Sequence, residues 1–471
     1  MNEIQTPTSH VAVIKSDSPS KSFTEGLNQL GGIYKYVNEG DTVFLKISLR
    51  LPYGYPTNSN FDLVERVILT CKHAGAEKIY VGSFPHQGVA LKLFDTTMGL
   101  DHYLKSLGAE FVYLDNSDFF LDKSYKNNEL EKIKKKSFEE VTLGEEIKKI
   151  PKKIKESDKV IVINQVNVDP LFMCDLSLNN YHSILSGKSR AIQYTENSLK
   201  ELVKHDIFKQ DLINDILNTY MIKKPVLAVN DLFYVLEGAG PLIYRDSNLK
   251  KTGYLIIGTD LISVDIITLR MLGFDALSNP LISAARERSL GPEEISNIEV
   301  IGDDLGDISI DIKHCCSKLE DINIQSLFVN SGGTCSGCFL QAYKLLNFMS
   351  SQMIKDLKYF DNHAFLVGLE PKEPRLNERV ILFGDCAINS TENYEFRTET
   401  KKTLIKKKEK IKENKDILEL PGCPPDFLTC LKLISDYFKK IDTPNLNAYF
   451  KLLKTSKFDE LNEKLGEWET L

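Results

Sequence analysis

The chain has 471 residues, enough for two or three domains with cores of their own. Its 42% hydrophobic and 27% charged content is that of an ordinary globular protein, and a formal net charge of -7 argues against nucleic acid as the main partner. No apolar run approaches the ~18–20 residues needed to span a bilayer, and residues 1–20 carry no apolar signal core, so we expect a cytoplasmic protein without a membrane partner.

In chain order, Val11 to Ile14 reads as a strand, followed by a helix marked by Phe23, Leu27 and Leu30. Thr42 to Ile47 is dense in apolar residues, as buried parallel strands are. A helix from Phe61 to Ala74, a strand from Lys78 to Gly82, a helix from Leu91 to Leu107 and a strand from Glu110 to Leu114 continue the alternation. Strand–helix–strand order of this kind predicts an α/β fold with a mostly parallel sheet. Residues 116–155 are charged and crowded with lysines, among them Lys132, Lys134, Lys135, Lys136, Lys148, Lys149, Lys152 and Lys153. They predict a solvated surface excursion; a docking patch for an acidic redox partner is the alternative.

Buried-type strands recur at Lys159–Asn164, Pro225–Asp231 and Gly253–Asp260, with a helical region over 198–221 and a helix over 261–272. Val300-Ile301-Gly302 closes this part. From about 315 onward the style repeats on a smaller scale, with strands near 324–329, 364–368 and 379–384. Residues 401–415 are lysine-rich and read as solvated, and 441–471 reads as a helical tail. No Walker loop and no Gly-x-Gly-x-x-Gly stands at a strand–helix turn, so no dinucleotide fold is supported.

Nine cysteines in a chain expected to stay in the cytoplasm point to metal or redox chemistry rather than disulfides. Cys335 and Cys338 lie in a glycine-rich turn between an apolar strand and a helical pattern. Cys386 ends another apolar run in Gly384-Asp385-Cys386-Ala387, and Cys423 precedes a helix in Gly422-Cys423-Pro424-Pro425. Thiolates on separate loops at strand ends suit an iron–sulfur cluster. The alternatives are a structural zinc site, whose thiols are usually paired as two close knuckles, a redox dithiol at Cys335 and Cys338, or four inert core thiols. Cys315-Cys316 reads as structural, and Cys71, Cys174 and Cys430 as core thiols.

These three cysteine motifs resemble those that hold the cluster in nickel–iron hydrogenase small subunits and in the related subunit of respiratory complex I. The resemblance covers about 320–440. It implies a flavodoxin-like α/β domain with Cys335, Cys338, Cys386 and Cys423 as ligands of one 4Fe-4S cluster that passes electrons.

Residues 36–302 resemble the family known as domain of unknown function 362. The resemblance is carried by Gly40-Asp41-Thr42-Val43-Phe44-Leu45-Lys46, by Asn230-Asp231 with Glu237-Gly238-Ala239-Gly240-Pro241, by Gly258-Thr259-Asp260-Leu261-Ile262-Ser263-Val264-Asp265 and by Ile298-Glu299-Val300-Ile301-Gly302. Members often occur with iron–sulfur domains, and their activity is unassigned. The chain departs from the family after the strand at 160–164, where it reads Asn164-Gln165-Val166-Asn167-Val168-Asp169-Pro170. Leu49-Arg50-Leu51-Pro52 and Gly82-Ser83-Phe84-Pro85-His86-Gln87 are also similar to stretches of the nickel-pincer lactate racemase family.

The candidate catalytic residues of the large domain are His86, Asp231 and Asp260. His86 stands at a strand end among turn residues. Asp231 and Asp260 follow apolar strands and, with Glu237 and Asp265, could line a cleft for a cation or polar substrate. Helix capping is the other reading of Asp260. The expectation is therefore an α/β core over 1–315, an iron–sulfur α/β domain over 316–440 and a tail over 441–471. The cluster would transfer electrons to a redox partner protein or to a small-molecule substrate between the domains. The alternative is a non-redox, racemase- or isomerase-like enzyme in which a cluster or zinc is structural.

Overall fold

The structure is a computed structural model. It describes residues 9–438 except 51–53, 86–90, 117–128, 130–131, 134–135, 145, 187–205, 293, 309, 326, 376–378 and 398–416. His86, the 401–415 lysine run and the 441–471 tail lie outside the described residues.

The elements in order are β1 (Ser9–Lys15), α1 (Pro19–Gln29), β2 (Thr42–Ile47), α2 (Phe61–His73), β3 (Lys78–Gly82), α3 (Leu91–Met98), α4 (Leu100–Ser106) and β4 (Glu110–Phe111). Then come β5 (Phe138–Leu143), β6 (Glu146–Pro151), α5 (Lys152–Glu156), β7 (Lys159–Gln165), β8 (Val168–Asp169), β9 (Met173–Cys174), α6 (Ser177–Tyr181), α7 (Ile207–Ile222), β10 (Leu227–Asp231) and β11 (Tyr234–Gly238). They are followed by β12 (Ser247–Lys251), β13 (Tyr254–Gly258), α8 (Leu261–Met271), α9 (Pro280–Glu287) and β14 (Ile298–Gly302). The last set is β15 (Leu327–Ser331), α10 (Ser336–Gln352), β16 (His363–Val367), β17 (Arg379–Phe383), α11 (Asp385–Ser390), β18 (Ile417–Leu420) and α12 (Phe427–Tyr437).

The large sheet has eight strands in the order β14-β1-β13-β10-β7-β2-β3-β4. It is parallel except at β13, which runs antiparallel to both β1 and β10. Its central strands are apolar on both faces because helices cover both: Val43, Phe44, Leu45, Val160, Ile161, Val162 and Ile163 are wholly buried. Ser9 at the start of β1 shares a 2.7 Å hydrogen bond with Ser263 of α8. The smaller sheet is fully parallel, in the order β15-β16-β17-β18. Each sheet has its own apolar core, and Ala239, Leu242 and Tyr244 from the end of β11 and the loop after it pack into the core of the smaller one. Among the described residues, no helix is long and apolar enough to cross a membrane.

Two local expectations change. The helix expected over 91–107 is two helices, because Gly99 adopts φ 68, outside the range of a continuing helix. Residues 198–205 of the helical region expected over 198–221 lie outside the described residues, and the remainder contains α7. Within the charged excursion, the described residues from Phe138 onward form the β5–β6 hairpin followed by α5, and Lys148 is not solvated. Its ammonium is buried against Asp215 of α7, with Glu146 at 3.3 Å, and Asp215 also takes His182 at 2.7 Å. Burial raises the Asp215 carboxyl, but the hydrogen bonds and charge effects of His182 and Lys148 together win and hold it below the usual carboxylate range.

Candidate functional site

The smaller sheet brings the four cysteines to one edge. β15 ends at Ser331, and the turn that follows delivers Cys335 to the N-cap of α10 and Cys338 to its first turn. Cys386 occupies the first turn of α11, directly after β17. Cys423 follows β18, a strand the sequence reading missed. All three thiol-bearing turns therefore leave the carboxyl ends of parallel strands, where open α/β sheets place their sites.

Backbone and side-chain bonds tie two of these turns together. Gly384 N–H donates to Leu420 O at 2.9 Å, and Asp385 N–H to Gly422 O at 3.1 Å. In return the Asp385 carboxylate accepts from Gly422 N–H at 2.7 Å. Gly384 has φ 87, and a Cβ there would stand 3.3 Å from the Cys338 sulfur. Cys335, Cys338 and Cys386 are buried, and Cys423 is half-buried.

The thiols act on one another. The neighbouring Cys338 thiol first, then the N–H groups of Cys338 and Gly337, pull the Cys335 thiol below its ordinary value. Cys338 is correspondingly pushed well up, by its bond with Cys335 first, then by burial and by Cys335, Cys386 and Cys423. Burial, then Cys423 and Cys335, pushes Cys386 up to about 12, and burial, then Cys335, takes Cys423 to about 11. As the side chains stand, no group of three or more His, Cys, Asp or Glu among the described residues is arranged to hold a metal ion. The donors nonetheless suit a soft iron–sulfur centre: four neighbouring sulfurs on three turns, backed by a glycine with no Cβ to crowd them.

A second polar cluster lies at the carboxyl ends of β2, β7 and β10. Lys46 is wholly buried and donates to Ile47 O, Ser83 Oγ and Asn180 Oδ1, each at 2.9 Å. Arg50 pairs with buried Asp175 at 2.6 Å. Burial outweighs that pairing and raises the Asp175 carboxyl to about 7. Asp231 accepts from Phe233 N–H at 2.8 Å and from Tyr55 Oη at 3.5 Å, and burial raises it to about 7. Asp265 accepts from Ser177 N–H, Leu178 N–H and Asn230 Nδ2 at 2.8 to 3.0 Å, and burial likewise raises it to about 7.

The acidic residues singled out in the sequence do not share one cleft. Asp260 is the N-cap of α8, accepting from Ser263 N–H at 2.8 Å. Glu237 receives Lys313 N–H at 3.0 Å near the smaller core. Only Asp231 stands in the second cluster with a carboxylate oxygen left over. Lys46, Arg50 and Asp175 were missed there. The usable signal was Lys46 itself, a lone cation inside an apolar strand.

The two sites are joined by α10. Its Tyr343 donates to Gly240 O at 3.4 Å, beside Cys315, whose thiol reaches the same carbonyl at 3.8 Å. Lys344, the next residue, feels the charge of Asp175. Asp206, just before α7, accepts from Ser336 N–H at 3.0 Å, between two of the cysteines. No curated protein matches the chain. The model of the family described as Domain of unknown function (DUF362) matches residues 43–270, the stretch from β2 into α8 that carries the second cluster.

Proposed function

We propose that the protein is an iron–sulfur redox protein. Cys335, Cys338, Cys386 and Cys423 would hold a single 4Fe-4S cluster, and its electrons would go to a partner protein or to a small molecule bound between the two sheets. The observation that carries the reading is the gathering of these four sulfurs at one end of a parallel sheet. Each comes from a strand-to-helix turn; the bond with Cys335 raises Cys338 first, and burial first raises Cys386 and Cys423. When bound, the cluster supplies one-electron chemistry.

The chain's own residues support this in two ways. Asp385 holds the Cys386 turn against the Cys423 turn, so those two ligands keep a fixed relation. The helix that starts at Cys335 carries Lys344, about 9 Å further along its axis than Cys338, to where its charge is felt by Asp175. A substrate over the ends of β2, β7 and β10 would thus lie near that helix. Nine free thiols fit a reducing, cytoplasmic setting.

The test is anaerobic purification with iron, sulfide and zinc analysis, and an absorption spectrum before and after dithionite, beside Cys335→Ala. About four irons and four sulfides per chain are expected, with a broad band that bleaches on reduction and is lost or altered in the variant. Stoichiometric zinc without colour overturns the reading.

A further inference from the structure

A feature of the second cluster is independent of the thiols. Gln165 and Asp231 stand opposite one another in the register of β7 and β10, so their side chains leave the sheet on the same side. The Gln165 amide donates to Tyr234 O at 2.8 Å, Val166 O at 3.2 Å and Asp231 O at 3.4 Å. Its Oε1 accepts nothing among the described residues. Among the described residues, Asp231 Oδ1 takes both bonds made to that carboxylate, and Oδ2 accepts none. Arg50 joins this pair to the loop above, donating to Gln165 O at 3.4 Å and to Thr57 O at 2.7 Å. The Thr57 hydroxyl, too, has no hydrogen-bond partner among the described residues.

All three residues are at most 1% exposed. Buried polar atoms are nearly always partnered, so three unpartnered oxygens in one connected network call for a common ligand. Charge gives its sign. The network holds one guanidinium, on Arg50, already paired with Asp175, and a second carboxylate, on Asp231, with no cation bonded to it among the described residues. One positive charge would balance it, whereas two would leave a buried excess. A carboxylate, an amide and a hydroxyl oxygen are hard ligands, suited to an alkali metal ion and equally to an ammonium group.

We propose that Asp231, Gln165 and Thr57 form a binding site for one small monovalent cation, either an alkali metal ion or the ammonium group of an amine ligand. The site lies within the stretch that matches the family model and does not depend on the iron–sulfur reading.

The test is the thermal unfolding midpoint of the full chain in choline, sodium, potassium and methylammonium chloride at one ionic strength. A cation that binds only the folded chain raises the midpoint saturably above the choline value. We expect such a rise with potassium, sodium or methylammonium, and its loss in Asp231→Asn. Thr57→Val keeps the side-chain shape and should weaken the apparent affinity roughly fivefold to tenfold. It carries the test alone should Asp231→Asn fail to fold. A response to an alkali ion alone identifies a metal site, and one to methylammonium alone identifies an amine site. Equal midpoints in all four salts, or variants that respond like wild type, would mean that buried water satisfies these oxygens, and would overturn the proposal.

Discussion

Asp206 and Ser336, 130 residues apart, are bonded through both the backbone N–H and the hydroxyl of Ser336. The acceptor belongs to the large domain and the donor sits between Cys335 and Cys338, so one carboxylate of the large sheet's domain anchors the first turn of the thiol helix. Asp206→Ala should cost about 1–2 kcal/mol, the usual value of a helix-capping carboxylate with added backbone strain at a left-handed residue. Asp206→Asn, which tolerates that backbone and keeps an acceptor, should cost less than half as much. Urea unfolding measures both, and faster release of iron to a chelator in Asp206→Ala would tie the anchor to the thiol site.

Gly384→Ala should be costlier than backbone strain alone. Both Gly384 and Gly99 have left-handed φ, 87 and 68, but a Cβ at Gly99 meets nothing within 4 Å, whereas one at Gly384 presses on the Cys338 sulfur. Gly99→Ala therefore reads out strain, about 1–2 kcal/mol. The excess in Gly384→Ala reads out crowding at the thiols together with the less tolerated backbone there, ψ 155 against 28 at Gly99. Equal losses in the two variants, with unchanged metal content in Gly384→Ala, would show that the sulfurs have room to spare.

His363 should make the smaller domain acid-sensitive. It is wholly buried at the start of β16, beside the rings of Phe360, Tyr437 and Phe438, and its Nε2 has no hydrogen-bond partner among the described residues. Burial lowers its pKa below that of an ordinary histidine. The unfolded chain then binds a proton that the folded chain refuses. This contribution is full above the unfolded value of about 6.5 and is lost as the pH falls through it toward the lower folded value. His363→Phe should flatten the pH dependence of urea unfolding between about pH 7.5 and 5. An identical slope in the variant would refute the assignment.

The sheets were legible where strands are buried on both faces. β2, β7, β10 and β13 announce themselves as apolar runs, and the cysteines of the smaller domain were readable because each stands in a glycine turn next to such a run. β18 was not legible: four residues long and placed after a lysine-rich stretch, it carries too little pattern. The burial of Lys148 depends on Asp215, 67 residues away, and the Arg50–Asp175 pair also joins distant segments. Asp260 is the opposite case: its capping role could be read from its place directly before an apolar helix.

The first strand has a consequence for how the protein comes into being. β1 is flanked by β13 and β14, and Ser9 meets Ser263 across 254 residues of chain. At synthesis rates of about 5–20 residues per second, that stretch takes roughly 10–50 s to emerge. Meanwhile β2, β3, β4 and β7 can pair as they appear, leaving the first apolar strand with exposed edges and no native neighbour. Through that interval the apolar segment Val11–Ile14 of a nascent chain lacks both of its native strand neighbours.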